Sequence, residues 1–591
     1  MKAGFAQART TGLLLAGSLC VLPFLLPYHH LFMAEWLAAA LGLAAVLAAL
    51  SENGTRLVEI ARPALWLIAF ALFLGAQAIF GHPDYAQLPW LAALYVLYAA
   101  LLVWLGAQSA ASVGIERAAT ILATCLLAGA LANAAAGFIQ FYGRPPLLED
   151  IVAELPYGAA AWGNIAQPNL YANYLAVGAT GLIFLWLRGW IRTGYACAAA
   201  VLLACACALS GSRASLLYIL WFGMLGLLAG RVQSGVDGRR LEFAAYALAA
   251  AMLAAYVAVP WFNGTLDLGA GSNGALERVV STAKHDAMAV RWQLWLLAWR
   301  IFASAPFAGA GIGEFAGAAF SSGLPPELAQ FSNVVWTSPH NLPLQLMAET
   351  GALGTFLALG CLCTWWWQAG RRYLATPQPA LWWIVAAVGI ESIHSIVEFP
   401  LWNAHFLGVT ALLMGLGLQP VMSSRASARC LRVAAAGTCV ALALALAVTL
   451  RDYVRLNATS SSGTPLTLAG AADTAHDIAV MRALAHGPLA PAAEYWTLLG
   501  TPLTRDDLAE RLKMSARVAR YLPTHGIIVR RIVFLAFDGQ AAQARSLLAQ
   551  ALYAFPLQCA ETTAILFQAL NSDRAAIEPL LLQVRGAEAC R

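Results

Sequence analysis

Charge is scarce in this chain. Of 591 residues, 11% are Asp, Glu, Lys or Arg and 60% are hydrophobic. A soluble domain carries roughly 25% charge, so most of the length is not one. The basic excess is a formal +5, too little for the phosphate neutralisation that a nucleic-acid binder needs. None of the eleven cysteines forms a Cys-x-x-Cys pair, and no His or acid accompanies Cys361 and Cys363. No metal site is read from them. The glycine run "GAGIG" at 309–313 has no Gly-Lys-Ser/Thr after it and no strand before it. That excludes a phosphate loop and leaves a flexible turn as the expectation.

Long apolar runs are present in their place, and the mean hydropathy is +0.68. About 20 apolar residues span a bilayer as helix. Thirteen candidate spans lie near 11–28, 31–50, 62–81, 89–110, 118–141, 168–188, 193–210, 214–230, 241–260, 345–367, 380–397, 401–419 and 433–450. The first has Lys2 and Arg9 before it, as a signal peptide would, but no small-residue cleavage site after it. It is kept as a span. The expected fold is an all-α polytopic membrane protein of about 13 transmembrane helices.

Orientation follows from Lys and Arg in short loops. With the N-terminus cytoplasmic, the inner loops hold Arg56, Arg62, Arg117, Arg188, Arg192, Arg231, Arg239, Arg240, Arg371, Arg372, Arg425, Arg429 and Arg432. The short outer loops hold Arg144 and Arg213. Such a bias, with an odd span count, puts the loop 261–344 and everything after 450 outside, most simply in a bacterial periplasm. The expected domains are a transmembrane domain 1–450, including that loop, and a periplasmic domain 451–591. The tail reads as amphipathic helices, and Pro523 and Pro556 end similar segments. Their spacing is near the tetratricopeptide period of about 34 residues. Cys559 and Cys590 lie in this tail, where an oxidising compartment permits a disulfide.

Polar groups beside an apolar zone are functional candidates by default. "WGNIAQPNLYANYLA" places Gln167 and Asn169, with Asn164 and Asn173, where the sixth span starts. Helix capping is the structural alternative. Arg213 stands in the short turn "SGSRASLL", either snorkelling or holding an anion. Arg291, Trp292, Trp295 and Trp299 recur at helical spacing in the long loop. They read as an amphipathic helix in the headgroup zone, with Arg278, Lys284 and Arg291 near anionic lipid or an anionic ligand. His394 and Glu398 are four apart in "ESIHSIVEFPLW", on one helix face, as a functional or a mutually satisfied pair. His340 follows a proline at the mouth of the tenth span, with Ser338 and Asn341 as partners for its ring. Near neutrality an imidazole is a competent proton acceptor.

His340-Asn341, nine residues and Gly351-Ala352-Leu353-Gly354 match the outer-loop signature of the O-antigen ligase and polymerase superfamily. Arg213–Leu217 as Arg-x-x-x-Leu, the Arg291-Trp292 helix and Pro306–Gly311 as Pro-x-x-Gly-x-Gly are also similar to it. "GNIAQPN" and "EFPLW" resemble its protein O-oligosaccharyltransferases, the general O-glycosylation ligases. Where that subgroup often reads Glu-Tyr-Pro-Leu, this chain has Phe399, so no hydroxyl role carries over there. The resemblance covers most of 150–420, and the tail fits the subgroup's extra periplasmic domain.

The resemblance implies an inner-membrane enzyme that transfers a glycan en bloc from undecaprenyl pyrophosphate to a Ser or Thr hydroxyl. The acceptor would be a periplasmic protein such as a pilin. His340 would be general base. Arg213 and Arg291, with Arg278 and Lys284 behind them, would hold pyrophosphate. Gln167, Asn169, Asn341, His394 and Glu398 would orient acceptor or sugar. No metal or other cofactor is required where Arg supplies the positive charge, and a single displacement would invert the anomeric centre. Two rivals stand beside this reading. One is an O-antigen ligase acting on lipid A–core, or an O-antigen polymerase. The other is a lipid-linked glycan transporter, for which Glu391 inside a span is the relevant feature. For the tail alone, a docking module for an assembly partner is a further reading. Glycan, acceptor and oligomeric state are not legible in the sequence.

Overall fold

The apolar stretches fold as helices because lipid offers their backbone no hydrogen-bond partner, so each must close its own ladder. The computed structural model describes residues 2–27, 31–51, 57–81, 83–155, 160–165, 167–233, 235–266, 287–325, 328, 335–460 and 479–590. Arg278 and Lys284 lie outside them. Among the described residues 10 helices are long and apolar enough to cross a membrane. Three shorter apolar helices, Thr11–Leu25, Thr193–Leu209 and Ala404–Gly417, fall on the remaining expected spans. No strand occurs among the described residues; Val58 and Met422 form an isolated bridge. The chain is a polytopic, all-helical membrane protein.

The chain forms two compact units. The first comprises Met1–Phe70, Leu94–Asp286 and Leu357–Ala443, the second Ala71–Ala93, Ala287–Phe356 and Leu444–Arg591.

In the first unit the Pro168–Leu187 and Pro379–Val397 helices are the most enclosed. Small residues let neighbours approach closely. Tyr171 and Tyr174 lie over Gly137 and Gly129 of the Ile115–Tyr142 helix. The Tyr174 hydroxyl donates to the Cys20 carbonyl at 2.7 Å. Burial of both helices fixes where their ends fall, and the polar candidates sit at those ends.

In the second unit the Ala287–Ser304 helix is amphipathic, as its spacing predicts. Val290, Leu294, Leu297 and Ile301 are buried in one core with Phe315, Ala319 and Ala348. Trp292 and Trp299, seven apart and hence on one face, are exposed. The tail helices His525–Phe537 and Ala541–Ala554 pair, as do Cys559–Ala569 and Arg574–Gly586. From 525 to 559 is 34 residues, and from 541 to 574 is 33. Ile528, Ile532, Phe534, Leu548, Leu566 and Leu580 fill their core.

Cys559 and Cys590 are joined by a disulfide, closing a span of 31 residues. In the chain-entropy account such a loop contributes about 3.7 kcal/mol. Replacing both by Ser is expected to lower the tail's denaturant midpoint accordingly. In the native sequence, thiol labelling of these two positions under denaturing conditions should require reductant; equal labelling without it would contradict the bond.

Candidate functional site

The sequence candidates among the described residues fall into two clusters, one in each unit.

The first unit gathers Gln167, Asn169, Arg213, His394 and Glu398. Pro168 opens its helix at no hydrogen-bond cost, and Gln167 caps it, its Oε1 accepting from the Leu170 N–H at 2.8 Å. The cap leaves Nε2 facing Glu398 Oε2 at 3.4 Å. Asn169 is fixed in the same way. Its Oδ1 accepts from the Ser212 hydroxyl at 2.7 Å, so its Nδ2 donates to Glu398 Oε1 at 2.8 Å. The amide orientations thus follow from their other partners. Two amides converge on one carboxylate that is buried. Arg213 follows Ser212 directly and begins the Ala214–Val232 helix, half-buried. Tyr256 steadies this turn, its hydroxyl donating to the carbonyls of Cys207 and Ser212.

His394 and Glu398 meet at the end of their helix, where the Glu398 N–H donates to the His394 carbonyl at 2.8 Å. The Pro379–Val397 helix ends at Val397, and Glu398 is extended at φ −152°, ψ −167°. Pro400 denies Phe399 the helical conformation, so the helix does not continue past this point. The Tyr218 hydroxyl lies 2.5 Å from His394 Nδ1. Tyr218 and Ser212 went unsingled in the sequence. Tyr218 faces inward on a wholly apolar segment, and nothing in its spacing marks it.

The second unit carries His340, Asn341 and Arg291. Asn341 caps the Leu342–Ala375 helix, accepting from the Leu344 N–H at 3.0 Å. His340, one residue before it, has φ +52°. That left-handed geometry is uncommon outside glycine and is held only where surroundings impose it. Ser338 Oγ accepts from the His340 backbone N–H at 3.1 Å. Trp295 Nε1 donates to the Pro339 carbonyl at 3.2 Å, tying the Arg291 helix to this turn. The imidazole is half-buried.

The Gly-x-x-Gly of the signature has a structural reason. At Gly351 the helix breaks, with φ +63° and ψ −168°. The carbonyls freed there, of Ala348 and Glu349, accept from the N–H groups of Ala310 and Gly311 at 2.9 and 3.0 Å. The N–H groups of Ala352 and Leu353 donate to Pro306 and Phe307 at 2.7 and 3.4 Å. A Cβ on Gly351 would stand 2.4 Å from the Phe307 carbonyl, and one on Gly309 2.3 Å from the Glu349 carbonyl carbon. Gln77 spans the junction, donating to the Ala308 and Glu349 carbonyls and accepting from the Ile312 N–H. The "GAGIG" run is therefore a docked turn and not a flexible one.

Glu314 ends that turn, and burial, then the nearby Asp84 carboxylate, pushes its pKa up to about 7, against the pull of Arg520. The folded protein so holds this proton more tightly than the unfolded chain. The stability it contributes is complete below about pH 4.5 and lost as pH rises through about 7. Glu314→Gln is expected to remove that loss. Melting temperatures of both proteins across pH 5 to 8 check this: parallel curves would rule it out.

No group of three or more His, Cys, Asp or Glu able to hold a metal occurs among the described residues.

Residues 198–359 match the family described as O-Antigen ligase, and residues 382–569 the family described as Virulence factor membrane-bound polymerase, C-terminal. A General O-oligosaccharyltransferase of Acinetobacter baylyi is 27% identical over 425 residues, which covers 70% of this chain and 71% of that relative. The His-Asn and Arg-x-x-x-Leu segments both lie inside the first match, and the Glu398 turn and most of the tail inside the second. The chain is thus similar to O-antigen ligases and to a General O-oligosaccharyltransferase, a likeness that supports a glycosyl-transferring membrane protein.

Proposed function

We propose that the protein is a bacterial protein O-oligosaccharyltransferase. It moves a glycan from undecaprenyl pyrophosphate to a Ser or Thr hydroxyl of a periplasmic acceptor such as a pilin. The observation that carries this reading is the His340-Asn341 cap with its Gly351 break, a built and conformationally imposed position for an imidazole. The relative's printed activity supports the acceptor class.

An alcohol is a weak nucleophile, and the glycosyl phosphate bond breaks with negative charge gathering on pyrophosphate. In the proposed step the acceptor oxygen bonds to the anomeric carbon as the bond from that carbon to the phosphate oxygen breaks. The electron pair leaves with pyrophosphate, and the hydroxyl proton passes to His340, contributing about 10²–10⁴-fold. One displacement inverts the anomeric centre. Arg213 and Arg291 stabilise the leaving group, since guanidinium binds phosphate bidentately. Arg278 and Lys284 are further cations for it. Gln167 and Asn169 hold the Glu398 carboxylate in a single orientation for sugar or acceptor hydroxyls, with His394 and Asn341 as the other orienting groups. No metal is assigned a step.

The proposed setting is the inner membrane, with residues 261–344 and 451–591 as periplasmic regions and 1–450 as the transmembrane domain. Alkaline phosphatase fused after residue 591 is expected to be active and a green fluorescent fusion there dark. The opposite pair would invert the orientation. Glycoblots of periplasmic protein and lipopolysaccharide from a deletion strain test the function. Loss of a protein-linked glycan is expected. Loss of polymer on lipid A–core alone would replace this reading with an O-antigen ligase.

A further inference from the structure

We propose that the C-terminal tail positions the His340 cap, acting through the Phe315–Ser321 helix, with Asp84 and Arg520 as its positioning pair. The proposal rests on the reading that His340 serves transfer, but its structural arm is tested separately.

The Phe315–Ser321 helix belongs to two cores at once. On one side Phe315 and Ala319 pack with Leu294, Leu297, Ile301 and Ala348, the core beneath the His340 helix. On the other, Phe320 lies in the tail's own core and stacks on Phe555, with ring centroids 6.1 Å apart. Gln550 of the tail donates to the Phe320 carbonyl at 2.7 Å. Gly317 admits the tail backbone itself: a Cβ there would stand 1.8 Å from the Arg520 carbonyl oxygen. A short helix of seven residues has little stability alone. Its place is set by what grips it.

The grip continues in both directions. Toward His340, the Phe315 N–H donates to the Glu349 carboxylate at 3.3 Å, which also accepts from Gln345 Nε2 at 2.9 Å. Gln345 lies one turn past Asn341, whose carbonyl accepts its N–H at 2.9 Å. Toward the tail, Asp84 takes both Nε and Nη2 of Arg520, a bidentate pair. Tyr85 beside it donates to Glu494 at 2.7 Å, and Arg517 clasps the same carboxylate. The chain of contacts therefore runs from the tail, through one small helix, to the carboxylate and amide that follow the His-Asn cap. A tail that merely recruited an acceptor would have no need to share a core with the turn docked at Gly351.

The test uses the full chain in lipid nanodiscs, with Asp84→Arg, Arg520→Asp and the double reversal. Two readouts are taken: hydrogen exchange at the Ala310, Gly311 and Ala352 amides, and kcat and KM for transfer from lipid-linked glycan to an acceptor peptide. Each single reversal replaces an attraction by a repulsion, so exchange should rise about fivefold or more. The kcat should fall while KM for acceptor holds, and the double reversal should recover both. Exchange unchanged in the single variants overturns the proposal whatever the activity. So does a rise in KM at constant kcat, which assigns the tail to acceptor docking. Should wild-type protein show no transfer, the functional reading fails and exchange still decides the clasp. Asp84→Asn and Arg520→Lys, read in the same two ways, serve if a reversal does not fold.

Discussion

His340→Ala and His340→Asn should both lose about 10²–10⁴-fold in transfer, the range that a general base contributes. The pair is more informative than either alone. His340 occupies the left-handed region, where Ala is strained and Asn is tolerated. Loss in Ala alone would point to backbone strain, whereas loss in both points to the missing base. Arg213→Ala and Arg291→Ala should differ in kind. Their proposed charge acts on pyrophosphate, so KM for donor should rise as kcat falls, and Lys should rescue only in part. The assay is transfer from purified lipid-linked glycan to an acceptor peptide at several pH values, with expression matched. Near-wild-type turnover by His340→Asn would remove the base and turn attention to Glu398 and His394.

The spans were legible because lipid imposes one rule on every residue of a span. Apolar length alone located the 10 long helices among the described residues, and three shorter apolar helices fall on the other expected spans. Local signals also carried far. Pro168 and Gln167 announced a helix start, and Gln167 caps it. Arg291, Trp292, Trp295 and Trp299 announced an amphipathic helix, which Ala287–Ser304 is. Helical spacing says less at a helix end. Glu398, four residues after His394, is extended there and has Gln167 and Asn169 among its partners. What stayed hidden was pairing between distant segments. Gln77 on a span, Glu349 beyond the signature histidine and Tyr218 opposite His394 each find partners with no periodic relation to them. The glycines at 309–313 were misread for the same reason. Their partner is the helix break 40 residues on, and composition reports only that the turn is free to bend.

Gly351→Val should be as damaging to transfer as removal of the imidazole, without touching a reacting group. Two costs combine. A β-branched residue is a severe outlier at φ +63°. Its Cβ would also stand 2.4 Å from the Phe307 carbonyl and 2.6 Å from the Ala308 nitrogen. Those are backbone atoms held by four hydrogen bonds, so they cannot swing aside as a side chain would. The turn must undock, leaving the Ala348 and Glu349 carbonyls without the N–H groups that satisfy them. Each buried group so orphaned costs about 1–3 kcal/mol. The helix that Asn341 caps would lose its anchor at the break, and His340 would shift with its cap. A displacement of about 1 Å at a reacting group costs on the order of 10²-fold in rate. Gly309→Val should match this, because it closes the same contact from the other side. Leu353→Ala, at an exposed position within the signature, should leave transfer within about twofold, as surface substitutions usually do. Transfer rates of the three variants in nanodiscs, beside the exchange of the Ala310 and Gly311 amides, give the measurement. Slow exchange at those amides in an inactive Gly351→Val would show that the turn stays docked, and the role of Gly351 would then have to be sought elsewhere than in this junction.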